Sequence, residues 1–298
     1  MLVLGGGGIL GEAWMAAVLA ALEDGAGWDP RECASYLGTS AGSIVAAWLA
    51  AGVSPRSRVG RMPEPPPVTQ DAERSRGALG EVLQAGRAAG LVTAAPLAAL
   101  GLRSTAAGGA LARRLALSRV PRGRRSLSGL REQVDATGVQ WDSGLLISAV
   151  ELESGRRVMF GGPQAPDASV GQAVEASCAI PGYFRPVEIG GRSYVDGGAW
   201  SPTNMDAAPV RRGTRVLCLN PTGSMRPSRS SPAGALGPLS RSVAGVEALA
   251  LRRRGAKVTT VSPDSATVAA IAGNLMDARR RDAVTAAGFA QGRALARH

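Results

Sequence analysis

Leu37-Gly38-Thr39-Ser40-Ala41-Gly42-Ser43 reads G-x-S-x-G, and the rest of the chain is organised around it. Apolar residues lie just behind the motif, and a helical pattern, Ile44 to Ala50, follows at once. A strand turning sharply into a helix holds a serine on the corner with its hydroxyl exposed, and the flanking glycines, Gly38 and Gly42, answer the crowding of backbone there. The helix N-terminus then aims its free N–H groups toward whatever sits over Ser40. The other reading of the same residues is a Gly/Ser-rich turn in which Ser40 or Ser43 caps the helix.

The N-terminus offers a second strand-to-helix corner. Leu2-Val3-Leu4 is short, apolar and β-favouring, and it runs into Gly5-Gly6-Gly7-Gly8. After Gly11, Trp14, Val18, Leu19 and Leu22 recur at helical spacing. Such a loop turns several backbone N–H groups into one anion-binding concavity at a helix N-terminus. Gly6-x-Gly8-x-x-Gly11 also fits a dinucleotide fingerprint. That fingerprint wants an acidic residue at the end of the second strand; here the second strand, around Ala34 to Leu37, ends in G-T-S-A-G. A purely structural glycine turn is the third reading.

Further along, Leu145 to Val150 is a continuous apolar run of strand length, as a buried central strand requires. Glu151 to Gly155 reads as a turn and Arg157 to Phe160 as a pairing strand. Val170 to Ala179 reads as a helix stopped at Pro181, Tyr194-Val195 as a short strand, and Arg215 to Leu219 as another. Residues 221–238 read as a long loop. Helical patterns return from Leu239 to Arg253 and from Ser265 to Leu295, with a strand at Val258 to Val261 between them. Strands alternating with helices predict a layered α/β fold with a mostly parallel sheet. No internal repeat interrupts it.

Size and composition narrow the class. The 298 residues are 45% hydrophobic and 19% charged, the profile of an ordered globular protein. Cys33, Cys178 and Cys218 are widely spaced, without C-x-x-C, which speaks against a disulfide framework or zinc site and for a reducing compartment. Met1-Leu2-Val3-Leu4 lacks a basic n-region and a long apolar run, so no signal peptide is expected. Neither is a membrane span: Ala88 to Leu102 is too short and contains Pro96. Lys257 is the only lysine, yet the net charge is +11, which favours anionic partners. No aromatic reading motif for nucleic acid accompanies the arginines. Residues 53–126 change character. Pro63, Pro65, Pro66 and Pro67 mark an irregular stretch, and Ala78 to Leu117 is Ala/Leu/Gly-rich. Arg103, Arg113, Arg114, Arg119, Arg122, Arg124 and Arg125 bring no acidic residue with them. This insertion suits either an interfacial lid resting on anionic lipid or a solvated excursion with no lipid role.

A serine nucleophile needs a base. The only histidine is His298, the last residue, where chains fray. Asp196 is the alternative: it ends a short apolar strand, and Gly197 and Gly198 follow it. A free carboxylate near pKa 3.9 is a poor base for a hydroxyl, and burial beside the nucleophile would raise that value. An ordinary Asp-Gly turn is the competing reading. Gly6, Gly7 and Gly8 would complete a site, offering backbone N–H donors to an oxyanion at the end of a strand next to the one that leads to Ser40.

Taken together the chain resembles the patatin-like phospholipases. Four stretches carry the resemblance in order: G-G-G-x-x-G at Gly6 to Gly11, G-x-S-x-G at Gly38 to Gly42, A-S-x-x-x-P at Ala176 to Pro181, and D-G-G at Asp196 to Gly198. Ala149 to Gly155 and Ser201-Pro202-Thr203-Asn204 are also similar to the family. The resemblance covers residues 1–52 and 141–221. It implies a three-layer α/β/α fold and says little about 53–126 or the C-terminal third; the residue pattern itself sets the insertion at 53–126 and a mainly helical part at 239–298, within one domain expected over 1–298. It also implies hydrolysis of ester-linked acyl chains in lipids, with no cofactor or metal. Ser40 would then be the nucleophile, Asp196 the base, and Gly6 to Gly8 the oxyanion hole. One position departs: Leu10 stands where the family commonly has Arg or Lys.

The expected protein is thus a soluble, cytoplasmic lipid acyl hydrolase with a Ser-Asp dyad, whose Arg-rich insertion makes peripheral contact with an anionic membrane and which has no specific nucleic-acid partner. A non-catalytic lipid-binding protein on the same fold is the alternative that Leu10 and the insertion motivate. A nucleotide-binding enzyme using Gly6 to Gly11 is the third.

Overall fold

The computed structural model describes residues 1–59, 107–141, 144–225 and 236–297. The proline cluster, most of the Ala/Leu-rich stretch, Arg103, part of the 221–238 loop and His298 lie outside the described residues. The elements in chain order are β1 (Leu2–Leu4), α1 (Gly8–Ala26), β2 (Tyr36–Thr39), α2 (Ala41–Ala50), α3 (Pro55–Val59), α4 (Ala107–Ser118), α5 (Ser128–Asp135), β3 (Leu145–Glu151), β4 (Arg157–Phe160), α6 (Val170–Cys178), β5 (Val187–Ile189), β6 (Arg192–Asp196), β7 (Arg215–Leu219), α7 (Leu236–Arg253), β8 (Lys257–Val261), α8 (Ser265–Ile271) and α9 (Arg281–Leu295).

β1 is buried on both faces, as a short apolar run bounded by glycines requires. It lies in the middle of a parallel array in the order β3-β2-β1-β7-β8. The two faces of the sheet are covered by separate apolar layers. Leu2 and Leu4 point into a cluster with Trp14, Val18 and Leu19 of α1 and Val45, Ala46 and Leu49 of α2. Val3 points the other way, to Ala244, Ala248 and Leu251 of α7. Helices on both faces of one sheet make the expected three-layer α/β/α arrangement.

The sheet is mixed rather than parallel throughout, because three strands join one end antiparallel. β4 folds back on β3 from Ile147↔Phe160 to Val150↔Arg157. β6 also pairs with β3, from Ala149↔Asp196 to Glu151↔Tyr194, and β5 pairs with β6. A strand has two edges, and β4 occupies one of them. The opposite edge of β3 is therefore shared: β2 runs along Leu145 to Ser148, and β6 arrives from the other direction along Glu151 to Ala149. Their carboxyl ends meet head to head between Ser148 and Ala149.

Several elements differ from the sequence expectation. α1 begins at Gly8, not after Gly11, so two motif glycines lie in its first turn. β2 and α2 together sit closer to Ser40 than the apolar pattern indicates. β5 was not expected. It forms a hairpin with β6 through Gly190 and Gly191, both at positive φ (57° and 76°), the backbone a two-residue hairpin turn demands. The helical pattern from Ser265 to Leu295 is two helices. Ala272 and Gly273, at φ 50° and 79°, end α8 in left-handed conformation, and residues 274–280 cross to α9. Among the described residues no helix is long and apolar enough to cross a membrane.

Candidate active site

Ser40 stands at the corner between β2 and α2 with φ 51° and ψ −123°. For a residue with a side chain this backbone is strained, and strain of this kind is held only where surroundings over-determine it. Here they do. Ser40 N–H donates to Ser177 Oγ at 2.8 Å, and Ser43 Oγ donates to the Ser40 carbonyl at 2.6 Å. The flanking glycines allow the corner to close: a Cβ at Gly42 would lie 2.0 Å from the Leu4 carbonyl oxygen, and one at Gly38 would lie 2.4 Å from Ser43 Cα. Ser177 explains the A-S-x-x-x-P stretch, because α6 ends beside the corner and its serine holds the Ser40 amide.

Asp196 is the last residue of β6, and the shared β3 edge brings it to Ser40. The Ser40 hydroxyl donates to Asp196 Oδ2 at 2.7 Å. Gly198 N–H donates to Oδ1 at 2.7 Å, and Asp196 N–H donates to the Ala179 carbonyl at 3.0 Å. Both side chains are buried. Desolvation pushes the Asp196 carboxyl up to about 6, against the opposing pull of the bonds from Ser40 and Gly198. Gly197 turns the chain tightly here; a Cβ would lie 2.3 Å from Ser148 Oγ.

A polar layer beneath the pair fixes both ends. Thr39 Oγ1 and Ser148 Oγ lie 2.9 Å apart. Asn204, in left-handed conformation at φ 49°, sets the two N–H donors of Nδ2 among four acceptors, Ser201 O (2.7 Å), Thr39 Oγ1 (3.1 Å), Ser148 Oγ (3.2 Å) and Gly197 O (3.2 Å). It thus touches the residue before Ser40 and the residue after Asp196. Arg157 holds Asn204 Oδ1 at 3.3 Å and clasps Asp206 at 2.6 and 3.0 Å. Glu247, from α7 on the far face, accepts from Thr203 Oγ1 and, at 2.9 Å, from Met205 N–H. Burial, with the Asp206 charge as the next cause, pushes the Glu247 carboxyl up to about 7.

The glycine loop needs a correction at one residue. Gly6 N–H donates to the Pro202 carbonyl at 2.8 Å, so Gly6 has no free donor for an oxyanion. A Cβ there would meet Ser40 Cβ only at ordinary contact distance, 3.4 Å. Gly7 and Gly8 N–H have no acceptor among the described residues, whereas Leu10 N–H donates to the Leu275 carbonyl at 3.0 Å. Gly8 requires glycine on two counts, φ 58° and Met276 Sδ only 2.6 Å from a built Cβ. Gly11 and Gly7 admit Pro221 against the first turn of α1. Leu10 is fully buried in the core, so no cation stands where the resemblance puts one.

Ser40 opens on a cavity of about 110 Å³ lined mainly by apolar groups, among them Ile9, Ile44, Leu127, Leu130, Phe184 and Met276. Glu12 is its charged member, paired with Arg281 at 2.8 and 3.2 Å and with Arg58 at 3.9 Å. Met276 reaches the cavity because the chain breaks between α8 and α9. The sequence reading missed Leu127, Leu130, Phe184, Met276, Ser177, Glu247 and the role of Asn204. Two of these carried a signal, Ser177 as part of A-S-x-x-x-P and Asn204 as part of Ser201-Pro202-Thr203-Asn204. Among the described residues no group of three or more His, Cys, Asp or Glu is placed to hold a metal ion.

A strand-turn-helix serine bonded to a carboxylate stands beside a glycine loop at the carboxyl end of a largely parallel sheet, where open α/β sheets place their sites. The family model for patatin-like phospholipases matches residues 2–65 and 146–209, the two segments that carry Ser40 and Asp196. Over those segments the chain is similar to the patatin-like phospholipases. Among solved structures, VipD from Legionella pneumophila aligns at 15% identity and a TM-score of 0.42 over 99% of this chain and 66% of that one. This chain thus spans just under two thirds of that neighbour's length, and the likeness is too loose to carry a reading of function. No curated protein matches the chain.

Proposed function

We propose that this protein hydrolyses acyl ester bonds of lipids with Ser40 as nucleophile and Asp196 as its sole base. The 2.7 Å bond from Ser40 Oγ to Asp196 Oδ2, at the wall of an apolar cavity, carries the reading. As Ser40 Oγ attacks the ester carbonyl, its proton passes to Asp196. Gly7 and Gly8 N–H stabilise the oxyanion, helped by the positive end of α1. The tetrahedral intermediate collapses, the alcohol leaves with the proton from Asp196, and an acyl-serine remains. Asp196 then takes a proton from water, whose oxygen attacks the acyl carbonyl. Expulsion of Ser40 Oγ, which recovers its proton, frees the fatty acid. The apolar cavity favours an alkyl chain over a polar acyl group.

A fluorophosphonate probe tests the nucleophile: labelling is expected in the native protein and absent in Ser40→Ala. Asp196→Asn is expected to lower kcat by on the order of a thousandfold or more while the fold persists, since among the described residues no other carboxylate is bonded to Ser40 Oγ. Labelling that persists in Ser40→Ala, or near-normal turnover in Asp196→Asn, would remove that residue from the mechanism. The nucleotide reading is not favoured. The end of β2, where a ribose-binding carboxylate belongs, is occupied by Thr39 and Ser40.

A further inference from the structure

α4 is amphipathic the wrong way round. Its inward side carries Arg113, buried, whose guanidinium donates to Gly155 O at 2.9 Å and Ala199 O at 3.2 Å and lies 3.9 Å over the Trp200 ring. No carboxylate pairs with Arg113 among the described residues, and burial pushes its guanidinium down to about 10. Leu117 packs inward beside it, against Val150 and Val195. Leu111 and Leu115, one turn apart, stand 53% and 47% exposed. A helix that buries an arginine and shows two leucines to solvent has an outward face unsuited to water alone.

The charge around that face has one sign. Residues 107–131 hold seven arginines and no acidic residue. Arg114, Arg119, Arg122, Arg124 and Arg125 are exposed. The segment is also fixed to the cavity wall. Gly123 sits so close to residues 183–184 that a Cβ would lie 2.4 Å from the Phe184 carbonyl oxygen. Arg125 O accepts from Arg185 N–H at 2.8 Å, and the Arg125 guanidinium lies 4.3 Å over the Tyr183 ring. Phe184, and Leu127 and Leu130 just downstream, line the cavity beside Ser40.

We propose that the outer face of α4 and the arginine segment after it form a docking surface for an anionic lipid bilayer, with the leucines entering the acyl boundary and the arginines meeting head-group phosphates. Apolar residues flanked by unopposed cations fit that occupant; nucleic acid would use the arginines and leave the leucines in water. The lipid would meet the protein where the chain leads into the cavity. The purpose of the surface rests on the hydrolase reading, but its existence does not.

Co-sedimentation with vesicles of phosphatidylcholine, alone or mixed with phosphatidylglycerol, tests the surface in the full chain. Native protein should bind the mixed vesicles and release as salt rises. Arg119→Gln, Arg122→Gln and Arg124→Gln combined should weaken binding by on the order of a hundredfold, about fivefold per arginine. Leu111→Ser with Leu115→Ser should weaken it by on the order of tenfold or more. Both variants change exposed residues, so unfolding temperature and turnover of a soluble short-chain nitrophenyl ester should stay native. Equal binding to neutral vesicles, or native binding by either variant, would overturn the docking surface. Loss confined to the arginine variant would do so too, by making the patch purely electrostatic. Vesicle binding without any ester turnover would instead leave the surface standing and remove the hydrolase reading.

Discussion

Asp196, its carboxyl pushed up to about 6 by burial, is both the proposed working group and a weak point. As the proposed base it must be ionised, so kcat/KM should rise with pH through about 6 with unit slope and level off above. A profile flat from pH 5 to 8 would show that another group takes the proton. The same shift has a cost in stability. The folded-state value lies above the ordinary carboxylate value of 3.8, so the folded protein holds a proton that the unfolded chain releases. The stabilisation is complete below about 3.8 and is lost as pH rises through about 6, a contribution of about 3 kcal/mol. Asn204→Ala should lower kcat about tenfold or more with little change in KM, because it frees Thr39 and Gly197 without touching substrate. A KM effect alone would place Asn204 in binding instead. Ser40 and Asp196 were legible in the sequence because each sits in a short motif whose glycines are forced by local crowding. That Gly6 N–H belongs to Pro202 was not, since the bond joins positions almost 200 residues apart in the chain.

At the scale of elements, strands with continuous apolar runs were legible, and strands defined by their partners were not. β5 alternates Val187-Glu188-Ile189, and only its hairpin with β6 makes it a strand. The Gly190-Gly191 turn was the available signal. The break after α8 was hidden because the apolar pattern continues across it, while Ala272 and Gly273 turn left-handed to let Leu275 cap α1. The packing of α1 on α9 is set by small residues. A Cβ at Gly292 would lie 2.7 Å from Val18 O and Ala21 Cβ, and one at Gly288 would lie 2.9 Å from Trp14 Cδ1. Gln291 between them accepts from Trp14 Nε1 at 2.9 Å and donates to Ser262 O at 2.8 Å. Gly292→Leu should therefore destabilise by about 1–3 kcal/mol, read by thermal unfolding. An unchanged midpoint would mean the helices have room to separate.

For the whole molecule, alternation of strands and helices pointed to the layered α/β architecture, and β1 shows why it holds: Leu2 and Leu4 serve one apolar layer, and Val3 the other. The antiparallel end of the sheet could not be read in advance, because it depends on β6 finding the free edge of β3. That shared edge also sets a schedule. Ser40 and Asp196 are 156 residues apart and come together only when two strands have reached β3 from opposite directions. During synthesis the serine emerges roughly ten to thirty seconds before its base. Throughout that interval the growing chain carries the Ser40 hydroxyl without the carboxylate proposed to accept its proton, so the proposed chemistry waits on completion of the sheet.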